Sequence, residues 1–384
     1  DWMVFSPDTG SLAAMQQLEA LEAVSQGIDI EQAMVRWAKR VLFAPEAVAA
    51  SAKMARRKQP TKAQGLQSFF PEVLEARTVT ADSGEYGYLR IRSFSVSNAD
   101  SFVREVIRLV DQLPQTGLVI DVRGNGGGLI LAGEQLLQLF TPRKIEPTLF
   151  QLLNTPLNRR LVEDVGYLSD WRQSMRHAVQ AGAEYTQGFP ITPLVKANEI
   201  GQRYHGPVAL ITDALCYSTT DIFAAGFQDH QIGTILGIDN NTGAGGANVW
   251  PHDLLFDLMD GNSQSPYEKL PSNTGMRVSI RRTIRVGLSN GTVLEDFGVM
   301  PDVLHPMTRD DLLNDNVDLL ERATEILSEQ TPRRLSLEVI DQGQDGSVLK
   351  ADTLGIDRLD IFDSDRPLGS VDVNSNETEI QLTD

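Results

Sequence analysis

Apolar residues recur at helical spacing from Ala13 to about Lys53, Leu18, Leu21 and Val24 among them, on a background of Ala, Glu and Gln. That spacing predicts a helical N-terminal segment. Arg56, Arg57, Lys58, Pro60 and Lys62 interrupt it, and residues 54 to 75 read as a polar, basic linker. The pattern then changes. Tyr86 to Phe94 alternates as a strand does, and Phe102, Val106, Leu109, Val110 and Leu113 give the next helix its buried stripe. Gly117 to Val122 is a continuous apolar run, as expected of a strand covered on both faces, and Leu129 to Phe140 is helical up to Pro142. A second unit repeats the order with strand Val208 to Thr212, helix Thr219 to Asp229 and strand Thr234 to Ile238. Strands alternating with helices predict a parallel or mixed sheet with helices on its faces.

Three parts follow: a helical segment and linker (1–75), an α/β core (76–331), and a small β extension (332–384) where runs such as Leu335 to Ile340 and Leu359 to Phe362 sit among aspartates. The core carries two insertions. Residues 143–205, with Arg159, Arg160, Tyr167 and Trp171, are too long for a simple connection and predict either a lid or substrate wall or an extra packing subdomain. Residues 251–275 are polar and rich in Pro, Ser and Asn.

Composition narrows the function classes. At 384 residues, 41% hydrophobic and 22% charged, the chain has the make-up of a globular protein with room for a deep site. A net charge of -18 repels phosphate backbones and anionic membrane surfaces, which argues against a nucleic-acid partner. No apolar run reaches the roughly 18 residues of a membrane span. A single cysteine, Cys216, excludes an internal disulfide framework and a multi-cysteine metal site, and neither a metal nor a cofactor is expected.

Two strand-to-helix loops carry the candidate chemistry. Asp121 to Gly128 leaves a buried strand through Asn125-Gly126-Gly127-Gly128, where backbone N–H groups at a helix start can receive an anion. It is neither a dinucleotide fingerprint, since Leu129 stands at the third glycine position, nor a P-loop, since Gly-Lys-Ser/Thr is absent. A plain tight turn is the competing reading. Thr212 to Asp221 makes the same transition, with Ser218 at the helix start. A lone serine there is an N-cap. Two such loops at the carboxyl ends of one sheet face the same crevice, so a hydroxyl and a set of amide donors converge as acyl transfer requires. Cys216 is the rival nucleophile, although a single cysteine beside a strand is usually a small buried residue.

These residues in this order resemble the C-terminal processing peptidases and tricorn-core serine peptidases. The likeness spans residues 84 to 306 and rests on Tyr86 to Ile91, Asp121 to Gly128, Ser218 to Ile222 with Ala224, Ala225, Gln228 and Asp229, Leu236-Gly237 leading to Thr242 to Gly246, and Gly298 to Asp302. It implies a mixed-sheet α/β core of the ClpP/crotonase-like type. It also implies Ser218 as nucleophile, an oxyanion hole from the amides of Thr219 and of Gly126 or Gly127, a polypeptide as substrate, and a bacterial periplasmic setting. A homo-oligomer is left open.

A serine hydroxyl needs a neighbouring base. One branch of the family supplies a lysine from the glycine-rich loop after the serine; here Thr242 to Trp250 holds none. The tricorn branch uses a histidine on the first strand, where this chain has Arg90, which cannot accept a proton. Glu295 fits the tricorn-type glutamate. His230 lies about 18 Å along the helix from Ser218, His205 precedes its strand, and His305 follows the Pro-Asp element, which leaves His252 and His177. Glu295 acting with His252 or His177, Lys269 reaching in from the second insertion, and a pseudopeptidase that keeps only a binding crevice are the three outcomes. Catalytic Ser218, Glu295 and His252 form the first expectation. A nucleotide-binding enzyme is a distant alternative.

Overall fold

The computed structural model describes residues 65–246, 249–259, 265–271, 274–330, 334–343, 346–363 and 366–382; the helical segment expected over Ala13 to Lys53 lies outside them. The chain opens with β1 (Gly65–Leu66), β2 (Leu74–Ala81) and β3 (Gly84–Ile91), followed by α1 (Ala99–Val110), β4 (Leu118–Asp121) and α2 (Ile130–Gln138). The first insertion contributes β5 (Leu149–Leu152), α3 (Pro156–Asp164), a 3-10 turn, α4 (Arg172–Ala181), β6 (Phe189–Pro190) and the short α5 (Leu194–Ala197). The second unit is β7 (Val208–Thr212), α6 (Thr219–Asp229) and β8 (Thr234–Gly237).

One seven-stranded sheet, ordered β1-β2-β3-β4-β7-β8-β12, organises the core, with β12 (Val303–Leu304) at its far edge. β3, β4, β7, β8 and β12 run parallel, while β2 pairs antiparallel with β3 and β1 antiparallel with β2. The sheet therefore begins in the stretch expected to be linker.

Alternation along each strand splits the core in two. Leu89, Ile91, Leu118, Ile120, Val208, Leu210 and Ile235 face α1, α2 and α6 in one cluster. Tyr86, Tyr88, Val119, Ala209, Ile211 and Leu236 face Leu319, Ala323, Ile326 and Leu327 of α9 (Val317–Ser328), which follows the short α8 (Arg309–Leu313). α1 begins at the N-cap Asn98, whose side chain accepts from Ser101 N, and buries Phe102, Val106, Leu109 and Val110 as its stripe predicts. Each such side chain contributes roughly 1.5–3 kcal/mol of transfer free energy.

The first insertion packs onto this core. Leu161, Val162, Leu168 and Trp171 belong to the larger cluster, and the Trp171 indole donates to the Phe150 carbonyl at 2.8 Å. β5 lies between β6 and β11 (Arg281–Ile284) in a small antiparallel sheet. β9 (Val249–Pro251), paired with β10 (Arg277–Ser279), brackets the second insertion, whose first residues form α7 (His252–Leu258). The expected C-terminal extension is antiparallel β throughout: β13 (Arg334–Gly343), β14 (Gly346–Leu354) and β17 (Glu377–Leu382) form one sheet, β15 (Arg358–Asp363) and β16 (Arg366–Asp372) another. No described helix is long and apolar enough to cross a membrane.

Candidate active site

The loops after β4 and β7 meet because buried polar groups tie them together. Asp213 Oδ1 accepts from Gly124 N at 2.9 Å on one loop and from Leu215 N at 3.0 Å on the other. The Tyr217 amide donates to the Asn125 carbonyl at 3.1 Å, and the Thr219 hydroxyl donates to the Gly128 carbonyl at 2.6 Å. Asn125, wholly buried, also donates from its side chain to the Ile91 carbonyl at the end of β3, at 3.2 Å.

Ser218 stands at the N-cap of α6 with φ 56 and ψ −122, the first central position of a type II′ turn and normally a glycine conformation. Holding a serine there costs on the order of 1–3 kcal/mol, and strain of that kind persists only where surrounding contacts over-determine it. Gly127 presses against it from the other loop: with φ 97, a methyl added at Gly127 would lie 2.6 Å from Ser218 Cβ, 2.7 Å from the Tyr217 carbonyl oxygen and 2.9 Å from Thr219 N. Glycine is the residue that permits both that backbone angle and that approach. The Thr219 amide, in the first turn of α6, has no carbonyl four residues back within its helix. The Gly127 amide donates to Asn125 Oδ1 at 2.9 Å. Of the two glycines expected to serve an oxyanion, Gly127 thus has its N–H in use within the loop.

A third loop, Thr242 to Gly246, follows β8. Ala244 N and Gly245 N donate to the two oxygens of Asp221 at 3.2 and 2.9 Å. Asp221 is fully buried, and burial pushes its carboxyl up to about 6 against the hydrogen bonds that favour the charge. Glu295 adjoins the same loop indirectly: both its oxygens accept from Thr283 N, at 2.9 and 2.8 Å, while the Thr283 hydroxyl donates to the Gly246 carbonyl at 2.9 Å. Burial raises the Glu295 carboxyl above its usual range, with the Thr283 amide opposing.

Among the described residues Ser218 Oγ has no hydrogen-bonded base. Arg90 points to the opposite face of the sheet, where it pairs with buried Asp121 and donates to the Arg123 carbonyl. Tyr88 and Arg123 also bond Asp121, both at 2.8 Å. His230 closes the far end of α6, its Nδ1 against the Gly226 carbonyl at 2.8 Å and its Nε2 accepting from Glu146 N at 2.9 Å. His305 pairs with Asp311 at 2.8 Å, and the His205 amide donates to Gln115. His177 is exposed on α4. Lys269 lies 5.6 Å over the Phe256 ring. His252 is buried, edge-on to Tyr267 at 6.0 Å, and its Nδ1 has no hydrogen-bond partner among the described residues. Cys216 is inaccessible, and burial holds its thiol well above its ordinary range. No described group of three His, Cys, Asp or Glu side chains is arranged for a metal ion.

Asn125, Asp213 and Asp221 were not singled out as site residues by sequence reasoning. Only Asp221 leaves a signal, the serine-to-acid spacing of a capping box at Ser218-Thr219-Thr220-Asp221.

The chain is 25% identical over 248 residues to the tricorn protease of Thermoplasma volcanium, an overlap of 64% of this chain but only 18% of that protein's length. Among solved structures it is similar to mature CPAF complexed with lactacystin (TM-score 0.48, 17% identity, 67% of this chain and 55% of that one). It is also similar to the photosystem II D1 C-terminal processing protease (TM-score 0.35, 18% identity, 60% and 48%). Residues 85–304 match peptidase family S41, which is more than half of the chain. By that match the chain belongs to peptidase family S41.

Proposed function

We propose that the protein is a serine endopeptidase that takes an extended polypeptide into the crevice between the three loops and cleaves it through an acyl-enzyme on Ser218. The observation that carries this reading is the strained backbone of Ser218, braced by Gly127 and followed by the first-turn amide of Thr219. Ser218 Oγ attacks the scissile carbonyl carbon, and the carbonyl oxygen takes the negative charge into donors supplied by the Thr219 amide and the Gly126 amide. Two such donors account for about 10²–10³ in rate each. The proton leaves Oγ for a base and is passed to the departing amine as the C–N bond breaks; water then releases the acyl group by the reverse of these steps.

For the base we assign His252 acting with Glu295. His252 follows the glycine loop after β9, and among the described residues its buried Nδ1 has no hydrogen-bond partner, with Asp253 Oδ1 4.0 Å away. Glu295 is bound to the same loop through Thr283. The assignment requires β9 and α7, which carry His252, to approach Ser218 when a peptide fills the crevice, while Thr242 to Gly246 stays in place.

Fluorophosphonate labelling tests both levels. Wild-type protein should label on Ser218 and hydrolyse unstructured polypeptides, and Ser218→Ala should do neither. Folded wild-type protein that neither labels nor cleaves would leave a binding crevice without peptidase activity. His252→Gln and Glu295→Gln should each lower the labelling rate by about 10²–10⁴; unchanged rates would remove this base while leaving the nucleophile in place.

A further inference from the structure

Asp221 has no part in bond making, yet it joins two distorted backbone sites. It is the third residue of α6, one helical turn from Ser218, and its carboxylate stabilises itself on the Ser218 amide as well as on Ala244 N and Gly245 N of the glycine loop. Ser218 has φ 56 and Ala244 φ 57, both on the side of the backbone map that non-glycine residues avoid. One buried side chain therefore accepts from the strained residue of the glycine loop and lies beside the amide of the other. The loop in turn lies on the Tyr217 ring: a methyl at Gly243 or at Gly245 would come within 2.2 Å of it. Gly243 N donates to the Cys216 carbonyl at 2.8 Å, and Thr242 N to the Val299 carbonyl at 3.1 Å.

We infer that Asp221 is a positioning residue: its ionised carboxylate clamps the Thr242–Gly246 loop to the start of α6, and so fixes the third wall of the crevice against Ser218. The inference rests on the peptidase reading for its functional half and on geometry alone for the clamp. A carboxylate can accept at both oxygens, whereas the carboxylic acid or an amide presents a donor on one side. One of the two loop amides then loses its acceptor.

Burial raises the Asp221 carboxyl to about 6, so the clamp is closed above that pH and opens below it. The titratable groups on the elements around it are Asp213, Cys216 and Tyr217 on the nucleophile loop, Asp229 at the far end of α6 and Glu134 on α2; the segment Thr242 to Gly246 brings none. Cys216 remains a neutral thiol, since burial holds it above its ordinary range. Asp213 is occupied by Gly124 and Leu215, and Glu134 by Thr148.

The test is amide hydrogen exchange over residues 242–246 in wild type and in the isosteric Asp221→Asn. Loss of one acceptor should speed exchange at Ala244 or Gly245 by about tenfold. Thermal midpoint should be unchanged or raised above pH 6, because a buried charge has been removed, and fluorophosphonate labelling should slow by at least tenfold. A merely structural aspartate would instead lower the midpoint with exchange accelerated throughout α6. Wild type needs no substitution for the second arm: protection of this loop, corrected for intrinsic exchange, should fall as pH drops below about 6. Unchanged loop protection in both arms overturns the clamp, whether or not wild type labels. Altered loop protection in a wild type that never labels keeps the clamp and removes the peptidase reading.

Discussion

Replacing Gly127 by alanine tests the contact on which the site is built. The residue has φ 97, which an L side chain resists by roughly 1–2 kcal/mol. The new methyl would also stand 2.6 Å from Ser218 Cβ, 2.7 Å from the Tyr217 carbonyl oxygen and 2.9 Å from Thr219 N. Two of those atoms are backbone, so no side chain can swing away, and overpacking of this kind costs about 1–3 kcal/mol. The sum is a destabilisation of about 2–5 kcal/mol. Relief by moving Ser218 and the Thr219 amide apart by about 1 Å would lower kcat/KM by about 10²-fold or more. Gly124→Ala is the control on the same loop: φ is 67, but no heavy atom lies within 4 Å of the added methyl, so about 1 kcal/mol is lost with little effect on rate. The assay is chemical denaturation beside fluorophosphonate labelling and hydrolysis of a fluorogenic peptide. A Gly127→Ala protein that folds and labels at the wild-type rate would refute the reasoning.

Glu134, fully buried on α2, is pushed up to about 7 by burial, although Thr148 N opposes the shift. A raised folded value means stability present below pH 4.5 and lost as pH rises through 7, so Glu134→Gln should gain up to about 3 kcal/mol at pH 8 and nothing at pH 4; a pH-independent difference would contradict this. Asp121→Asn should cost about 3–5 kcal/mol in a denaturant titration, because Arg90 and Arg123 lose their common carboxylate. Burial pushes the Asp121 carboxyl up, but the Arg123 bonds and the Arg90 charge outweigh it, so this deficit should shrink as acid protonates the wild type. Cys216 should resist iodoacetamide in the folded protein and react once it is unfolded; reaction in the folded state would contradict its burial.

Much of the core was legible because period and burial coincide there. Val208–Thr212 and Thr219–Asp229 fall where the apolar run and the helical spacing place them. Ser218 was legible by position but its backbone was not, since nothing in a serine codon announces a glycine-like φ or the close approach of Gly127 beside it. The engagement of the Gly127 amide was hidden for a similar reason, because the side chain that takes it stands two residues away. Polar residues on α2 mislead in another way. Glu134, Gln135 and Gln138 suggest a solvent face, yet the long insertion covers them and uses them: Gln138 Oε1 accepts from Gly201 N at 2.7 Å, and its Nε2 donates to Asn198 at 3.0 Å.

The shared acceptor at Asp213 also has a mechanical meaning. With Gly124 and Leu215 bonded to a single oxygen and Tyr217 bonded to Asn125, the loops that carry the proposed nucleophile and its proposed charge-receiving amides are tied into one plate. Substrates of different bulk cannot be admitted by parting those two loops without breaking the catalytic geometry itself. If the site works as proposed, adaptation must come from chain outside these three tied loops, so tolerance for sequence and precision of attack are assigned to different pieces of backbone, and selection can alter the first without disturbing the second.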